Sequence, residues 1–258
     1  MREEEVRFLF LRTRGGLRGW RKARRQDDGG MAESQIKSKE RVAERGEVFT
    51  AEREVKAMCD LVKDETERID SRFLELACGD GNFLAEILRR KLGAVTRKYR
   101  KSAYDWERNS LLALGSMYGV DILADNCGQC RERLFGIWEA EYRAVCKKEC
   151  NDETRASAKF ILSRNIVCGN ALTLRCVDGK GEDTANPIVF SEWTLPANDA
   201  RMQRKDYTMA ELLEASEVTE NIERTGQLDL FANEKGEVEP TFLKQYIAHY
   251  RRISEGGE

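Results

Sequence analysis

Long apolar runs are missing from the 258-residue sequence, and none approaches the roughly 20 residues that a membrane-spanning helix needs. The N-terminal stretch VRFLFL is too short, and too close to acidic residues, for a secretory signal. Without such a signal, we expect the eight cysteines to be reduced thiols in the cytoplasm rather than a disulfide framework. Excess charge is also missing. The net charge of −2 gives no general attraction to nucleic acid, so DNA contact must be local or come from a partner.

What the sequence does contain is typical of a globular α/β protein. Hydrophobic residues make up 41% of the chain and charged residues 35%, which fits one sizeable core with long solvated helix faces. Apolar stretches typical of strands begin at Phe73, Tyr118 and Asn165, and amphipathic helical stretches separate them. This alternation predicts a parallel sheet with flanking helices.

The other segments are predicted to be parts or appendages of that domain. Residues 1–30 are rich in arginine and glycine and are predicted to be a disordered basic tail, either a nucleic-acid-binding arm or a non-structural extension. The domain spans residues 31–213, and its last part predicts two strands joined by a polar loop, as in a β-hairpin. Residues 214–240 are predicted to be an acidic linker, and residues 241–258 a C-terminal amphipathic helix.

The stretch FLELACGDGNFL, which ends at Leu84, combines a strand, a glycine turn and the start of a helix. Ligands of open parallel sheets bind beyond the carboxyl ends of the strands, where Gly79 and Gly81 would let the backbone approach closely. A dinucleotide site would have a third glycine in place of Leu84, and Glu75 and Asp80 would repel its phosphates. The same carboxylates tolerate a cationic sulfonium. The ligand that fits best is therefore S-adenosylmethionine (SAM).

Two further strand ends supply candidate cofactor contacts. Asp121, in GVDI, falls where an acidic side chain can accept hydrogen bonds from both ribose hydroxyls, and Ile122 follows it. Asn170, in GNAL, closes the third strand, where it could meet the adenine ring. Gly81 and Asp121 are 40 residues apart, more than the usual ~20, so the sequence predicts an insertion between them.

The segments ERGEVFTAE, FLELACGDGNFL, GVDI and GNAL together resemble successive motifs of adenine-specific DNA N6-methyltransferases from restriction–modification systems. In that family an F-x-T-P or F-T-P element precedes an E-P-x-C-G-x-G-x-F turn that binds SAM. The resemblance covers about residues 37–172 and implies a Rossmann-like, SAM-dependent methyltransferase fold. It implies that the cofactor is bound by residues at matching positions, which are Phe49, Thr50, Glu75, Cys78, Gly79, Gly81 and Phe83. Ala51 and Leu76 depart from the pattern, because the family usually has proline at both positions.

The family's catalytic motif is missing. An [N/D]-P-P-[Y/F] element should end the fourth strand, but the chain has only three prolines and no such element. Asn186-Pro187 is the nearest candidate, yet it precedes its apolar run instead of ending it. There is also no Pro-Cys pair for attack on cytosine C5, and the single histidine, His249, lies in the C-terminal segment. No catalytic residue is assigned in this chain.

The missing motif leaves three interpretations of the function. In the first, the chain is the SAM-binding subunit of a split adenine methyltransferase, whose partner supplies the catalytic motif, target recognition and most of the DNA contact. In the second, it is an inactive or regulatory SAM-binding protein. In the third, it methylates another class of substrate. The sequence favours the split enzyme.

Three other patterns have a functional and a structural interpretation. The thiols of Cys127, Cys130, Cys146 and Cys150 could form a zinc site, although cysteines on one helix face are more often small core residues. The basic stretch RRKLGAVTRKYRK could follow a DNA backbone or be a solvated helix face. The segment QLDLF, Gln227–Phe231, is similar to the peptide by which bacterial DNA-handling proteins dock on the replication sliding clamp, but could be a short strand.

Overall fold

In the computed structural model the described residues are 8–11, 50–213 and 242–255. Phe49, the clamp-like segment Gln227–Phe231, the linker 214–240 and most of the tail 1–30 lie outside them, so the predictions for those parts are not tested. The strands and helices, in chain order, are β1 (Phe8–Leu11), α1 (Glu52–Asp60), α2 (Lys63–Thr66), β2 (Arg72–Glu75), α3 (Asn82–Tyr99), α4 (Ala103–Gly115), β3 (Met117–Asp121), α5 (Ala124–Cys146), α6 (Asp152–Asn165), β4 (Ile166–Asn170), β5 (Arg175–Val177), β6 (Asp183–Pro187), β7 (Val189–Thr194), β8 (Arg201–Thr208) and β9 (Lys244–His249).

The larger sheet has the strand order β1-β2-β3-β4-β5-β6. Its three central strands, β2, β3 and β4, are parallel, with Phe73 opposite Met117 and Val120 opposite Val167. The β1–β2, β4–β5 and β5–β6 pairs are antiparallel. The α/β class and the hairpin, formed by β5 and β6, are therefore confirmed, and the sheet is mixed.

Alternation along the parallel strands directs side chains to two different cores. Phe73 and Met117 pack into the core formed with the helices, which includes Trp106, Trp138 and Tyr142. Their neighbours in the strands face the other side of the sheet. There Leu74, Tyr118 and Val120 pack against Ile188, Phe190, Tyr207, Met209 and Leu212, from β7, β8 and the segments beside them. The helical core thus lies on one face of the sheet, and residues of β7, β8 and a short helix at 209–213 cover the other. Trp193 of β7 and Met202 of β8 also reach the helical core.

The predicted C-terminal helix is wrong. Residues 244–249 form β9, which pairs antiparallel with β8 and places Tyr246 opposite Arg204. Tyr246, Ala248 and Tyr250 also alternate at every second position, and hydrogen bonding to β8 selects the extended form. A 3-10 turn follows, in which the Tyr250 hydroxyl and the Arg251 guanidinium both donate to the buried carboxylate of Glu107.

Several elements were not foreseen in the sequence. Within the predicted disordered tail, Phe8–Leu11 pair with β2 as strand β1, because a short apolar run can satisfy an open strand edge. Helix α6 and strand β8 also lie in segments for which we expected neither. A strand was expected around β7, but not its pairing with β8 in a second sheet. No helix in the described ranges is both long enough and apolar enough to cross a bilayer.

Candidate functional site

The glycine turn after β2 adopts a conformation that suits glycine at two positions. Gly79 has φ +51° and Gly81 φ +85°, both in the left-handed region. The Cys78 amide donates to the Val120 carbonyl (2.9 Å), and the Gly81 amide donates to the Cys78 carbonyl (2.8 Å). A Cβ added at Gly81 would lie 2.6 Å from Sγ of Cys130, so helix α5 packs directly against the turn.

Asp121 connects the end of β3 to this turn. Its Oδ2 accepts from the Gly79 amide at 2.9 Å, and its Oδ1 accepts from the Leu123 amide at 2.9 Å and from Asn126 Nδ2 at 3.2 Å. Parallel pairing of β2 with β3 brings the two segments together, as the sequence predicted. Backbone and side-chain donors therefore fix the orientation of the Asp121 carboxylate at the end of β3.

Two carboxylates at the turn each have a buried oxygen without a hydrogen-bond partner among the described residues: Oε2 of Glu75 and Oδ1 of Asp80. The other oxygen of Asp80 is bound by Arg133 at 2.7 Å. Burial raises the pKa of Glu75 well above its usual value of 4.5, and the nearby groups Cys130, Asp121 and Asp80 raise it further. An acceptor left bare in a protein interior costs about 1–3 kcal/mol, which a donating or cationic ligand would relieve.

Exposed apolar side chains follow the ends of two neighbouring parallel strands, β3 and β4. Ile122 is 45% exposed and Leu172, at the end of β4, is 95% exposed. Flat apolar ligand groups such as a purine ring bind to surfaces of this kind. The sequence did not predict that Leu172 is exposed, because a leucine just after a strand has the same residue type as the buried apolar residues within it.

The remaining predicted cofactor residues have mixed environments. Cys78 and Phe83 are buried in the helical core. Asn170 lies at the end of β4, where Nδ2 donates to Asp183 at 3.1 Å and Oδ1 accepts from the Leu172 amide. Thr50 is partly buried just before α1. The turn and Asp121 are thus joined by direct hydrogen bonds, whereas Asn170 is engaged with the β5–β6 hairpin.

Two residues that support the site were missed in the sequence. Arg133, on α5, binds both Asp80 and Asn82, at the start of α3. Asn126 holds Asp121 from the first turn of α5. Both contacts depend on how α5 packs beside the turn. No short sequence motif carried that information.

The structure contradicts the four-cysteine zinc alternative. Cys127 and Cys130 lie in the first two turns of α5, and Cys146 is its last residue. At 1.5 Å per residue, Cys130 and Cys146 are about 24 Å apart along the helix axis. One metal ion cannot bind both pairs, and no three metal-binding side chains converge in the part of the chain that the structure describes.

The structure also places the candidate catalytic pair Asn186-Pro187 and two side chains of the basic stretch. Asn186-Pro187 ends β6, four strands from β2, which is about 19 Å at the usual strand spacing. In the basic stretch, Lys91 is fully buried and donates to the carbonyls of Arg68, Ile69 and Ser71. Arg90 is paired with Glu86 and Asp60. These two basic side chains therefore serve the fold rather than a DNA backbone.

Comparison with known proteins finds no match: no protein-family model, no curated protein and no solved structure matches the chain. The chemistry of the site must therefore be inferred from its geometry and charge. The acidic side chains of Glu75, Asp80 and Asp121 border the turn, an environment that disfavours a phosphate group. It offers acceptors for ammonium and hydroxyl donors, with an apolar rim beside them.

Proposed function

We propose that this chain is the SAM-binding subunit of a DNA adenine N6-methyltransferase whose catalytic motif is supplied by a partner chain. The observation that carries the proposal is a pair of buried carboxyl oxygens, Oε2 of Glu75 and Oδ1 of Asp80, that have no hydrogen-bond partner among the described residues. They lie at a glycine turn whose Gly79 amide donates to Asp121. The resemblance to the methyltransferase motifs gives the substrate class.

The residues present fit the cofactor. Glu75 and Asp80 would accept from the ammonium group and offset the positive charge, and Asp121 would accept from the ribose hydroxyls. Ile122 and Leu172 would lie against the adenine ring. When bound, SAM supplies an electrophilic methyl group for transfer to an amino nitrogen. This chain's part is to bind and orient that donor.

The need for a partner is supported by the topology. In doubly wound sheets two halves meet at the strand that carries the glycine-rich turn, and the ligand binds where the strand order reverses. Here the parallel strands, in the order β2-β3-β4, extend to one side of β2 only. The other side of β2 is paired with the short antiparallel strand β1. A second half with the amino-binding motif would join at that edge, in place of β1.

Calorimetry with SAM tests the cofactor assignment. We expect saturable binding by the full chain, alone or with its partner, and weaker or absent binding of NAD, because its pyrophosphate would meet the carboxylates. A chain that binds no SAM in either state would overturn the assignment.

Transfer assays separate the split enzyme from the alternatives. We expect the purified chain to transfer no radiolabelled methyl group from SAM to adenine in unmethylated DNA, and to do so when the partner is added. Labelling by the chain alone would contradict the split enzyme. SAM binding without transfer in the complex would favour the regulatory alternative.

A further inference from the structure

Four thiols collect beside the glycine turn, from three different parts of the chain. Cys78 lies in the turn, Cys127 and Cys130 lie in the first two turns of α5, and Cys168 lies in β4. All four are free thiols. The proposed cofactor site uses only Cys78, and the others have no role in it.

Cys127 is the centre of this thiol cluster. Its thiol interacts with the thiol of Cys78 on one side and with that of Cys168 on the other, and Cys168 lies opposite Asp121 in the pairing of β3 with β4. Sγ of Cys127 lies 3.6 Å from the Asp121 carbonyl oxygen, and Sγ of Cys168 lies 3.6 Å from the carbonyl oxygen of Ile122. The Cys127–Cys168 contact therefore lies directly beside the strand end that carries the candidate ribose ligand.

The two members of this contact differ in exposure and in acidity. Cys127 is buried, whereas Cys168 is partly exposed and opens the cluster to solvent. Interaction with the Cys78 thiol lowers the pKa of Cys127, against the effect of burial, and Arg131 favours the thiolate too. Burial raises the pKa of Cys168 to about 11. Because the thiolate is the nucleophile, Cys127 is the reactive member of the pair.

We propose that Cys127 and Cys168 form a disulfide on exposure to hydrogen peroxide, and that this disulfide weakens binding at the glycine turn. The Cys127 thiolate attacks one peroxide oxygen, the O–O bond breaks, and the released hydroxide takes up a proton to become water. The sulfur of Cys168 then attacks the sulfenic sulfur of Cys127. The S–O bond breaks, and the Cys168 proton leaves with the hydroxide as a second water. Two thiols lose two electrons and one peroxide is reduced.

The bond would act on the site through the backbone. A disulfide holds its sulfurs about 2.05 Å apart, closer than two sulfurs that are not covalently bonded. The first turn of α5 and the end of β4 must then move towards each other across the carbonyls of Asp121 and Ile122. This effect on ligand binding rests on the proposed function, whereas formation of the disulfide does not.

Peptide mapping tests the chemistry in the reduced full-length chain. After peroxide treatment and alkylation of the remaining thiols, we expect Cys127 and Cys168 in one cross-linked peptide pair. The link should be absent in Cys127→Ser and Cys168→Ser and kept in Cys176→Ser, the control, whose partly exposed thiol has no place in the cluster. A link from Cys127 to Cys78 or Cys130, or free Cys127 and Cys168 after Cys176 has been oxidised, would overturn the assignment.

Calorimetry with SAM on the same samples tests the consequence. We expect the oxidised chain to bind SAM at least tenfold more weakly, dithiothreitol to restore the affinity, and Cys168→Ser to be insensitive to peroxide. Unchanged affinity in the fully cross-linked chain would overturn the coupling. If the reduced chain binds no SAM, the proposed function fails and the coupling with it. The mapping result then still decides whether the disulfide forms.

Discussion

Replacing Glu75 with glutamine should weaken SAM binding and yet stabilise the free protein at neutral pH. The side chain is buried at the end of β2, and its Oε2 has no partner in the described part of the chain. Burial raises its pKa well above 4.5. Glutamine keeps nearly the same shape as the protonated acid but cannot ionise, so it removes the cost of a buried carboxylate.

The sign of the stability effect follows from the raised pKa. Above pH 4.5 the unfolded chain releases the Glu75 proton, whereas the folded protein keeps it. The wild type therefore loses up to about 1.4 kcal/mol of unfolding free energy for each pH unit, until the pH passes the folded-state pKa. The variant lacks this loss. Its advantage over the wild type should therefore grow as the pH rises from 5 to 7.

The binding effect has the opposite sign. A charge-assisted hydrogen bond from Glu75 to the cationic ligand is worth about 1.5–3 kcal/mol, which predicts a dissociation constant about 10-fold to 100-fold higher in the variant. Since a cation favours the ionised carboxylate, wild-type binding should release a proton and strengthen as the pH rises. Glu75→Gln should release fewer protons.

Urea unfolding at pH 5, 6 and 7 measures the stability difference, and calorimetry in two buffers of different ionisation enthalpy measures the affinity and the released protons. Glu54→Gln, an exposed glutamate on α1, is the matched control and should change neither. A Glu75→Gln variant that is less stable than the wild type at pH 7 and binds SAM with unchanged affinity would refute this reasoning.

Three further predictions concern other parts of the molecule. Asp121→Asn places an amide where the carboxylate accepts three protein donors, so calorimetry should show SAM affinity lower by about 1–3 kcal/mol, with Asp152→Asn, on an exposed side chain, unchanged. Lys91→Met leaves three backbone carbonyls without their buried donor and should lower the unfolding free energy by about 3 kcal/mol in urea titrations, whereas the exposed Lys98→Met should have little effect. A labelled peptide containing Gln227–Phe231 should bind bacterial sliding clamp in the micromolar range by fluorescence anisotropy. Equal binding by a peptide with its Leu-Phe pair changed to alanine would leave the segment an ordinary linker.

The turn and its acidic neighbour were predictable from the sequence because their signals are local. Glycines at two positions after a strand require an unusual backbone, and Gly79 and Gly81 have it. Asp121 ends the next parallel strand, and adjacent parallel strands bring their carboxyl ends to one edge. Its contact with Gly79 therefore follows from strand order alone.

The tertiary structure decided which distant segments meet. Residues 244–249 carry apolar side chains compatible with both helix and strand, and the free edge of β8 selects the strand. The sequence showed Glu107 as one charge on a helix, but folding surrounds its carboxylate with donors from Tyr142, Asn151, Tyr250 and Arg251. The hydrophobic periodicity of a segment predicts which face of the helix or strand is buried, but it does not predict which other segment packs against that face. Strand pairing, in turn, joins residues that are far apart in the chain. For the same reason the bare oxygens of Glu75 and Asp80 and the thiol cluster became visible only in three dimensions.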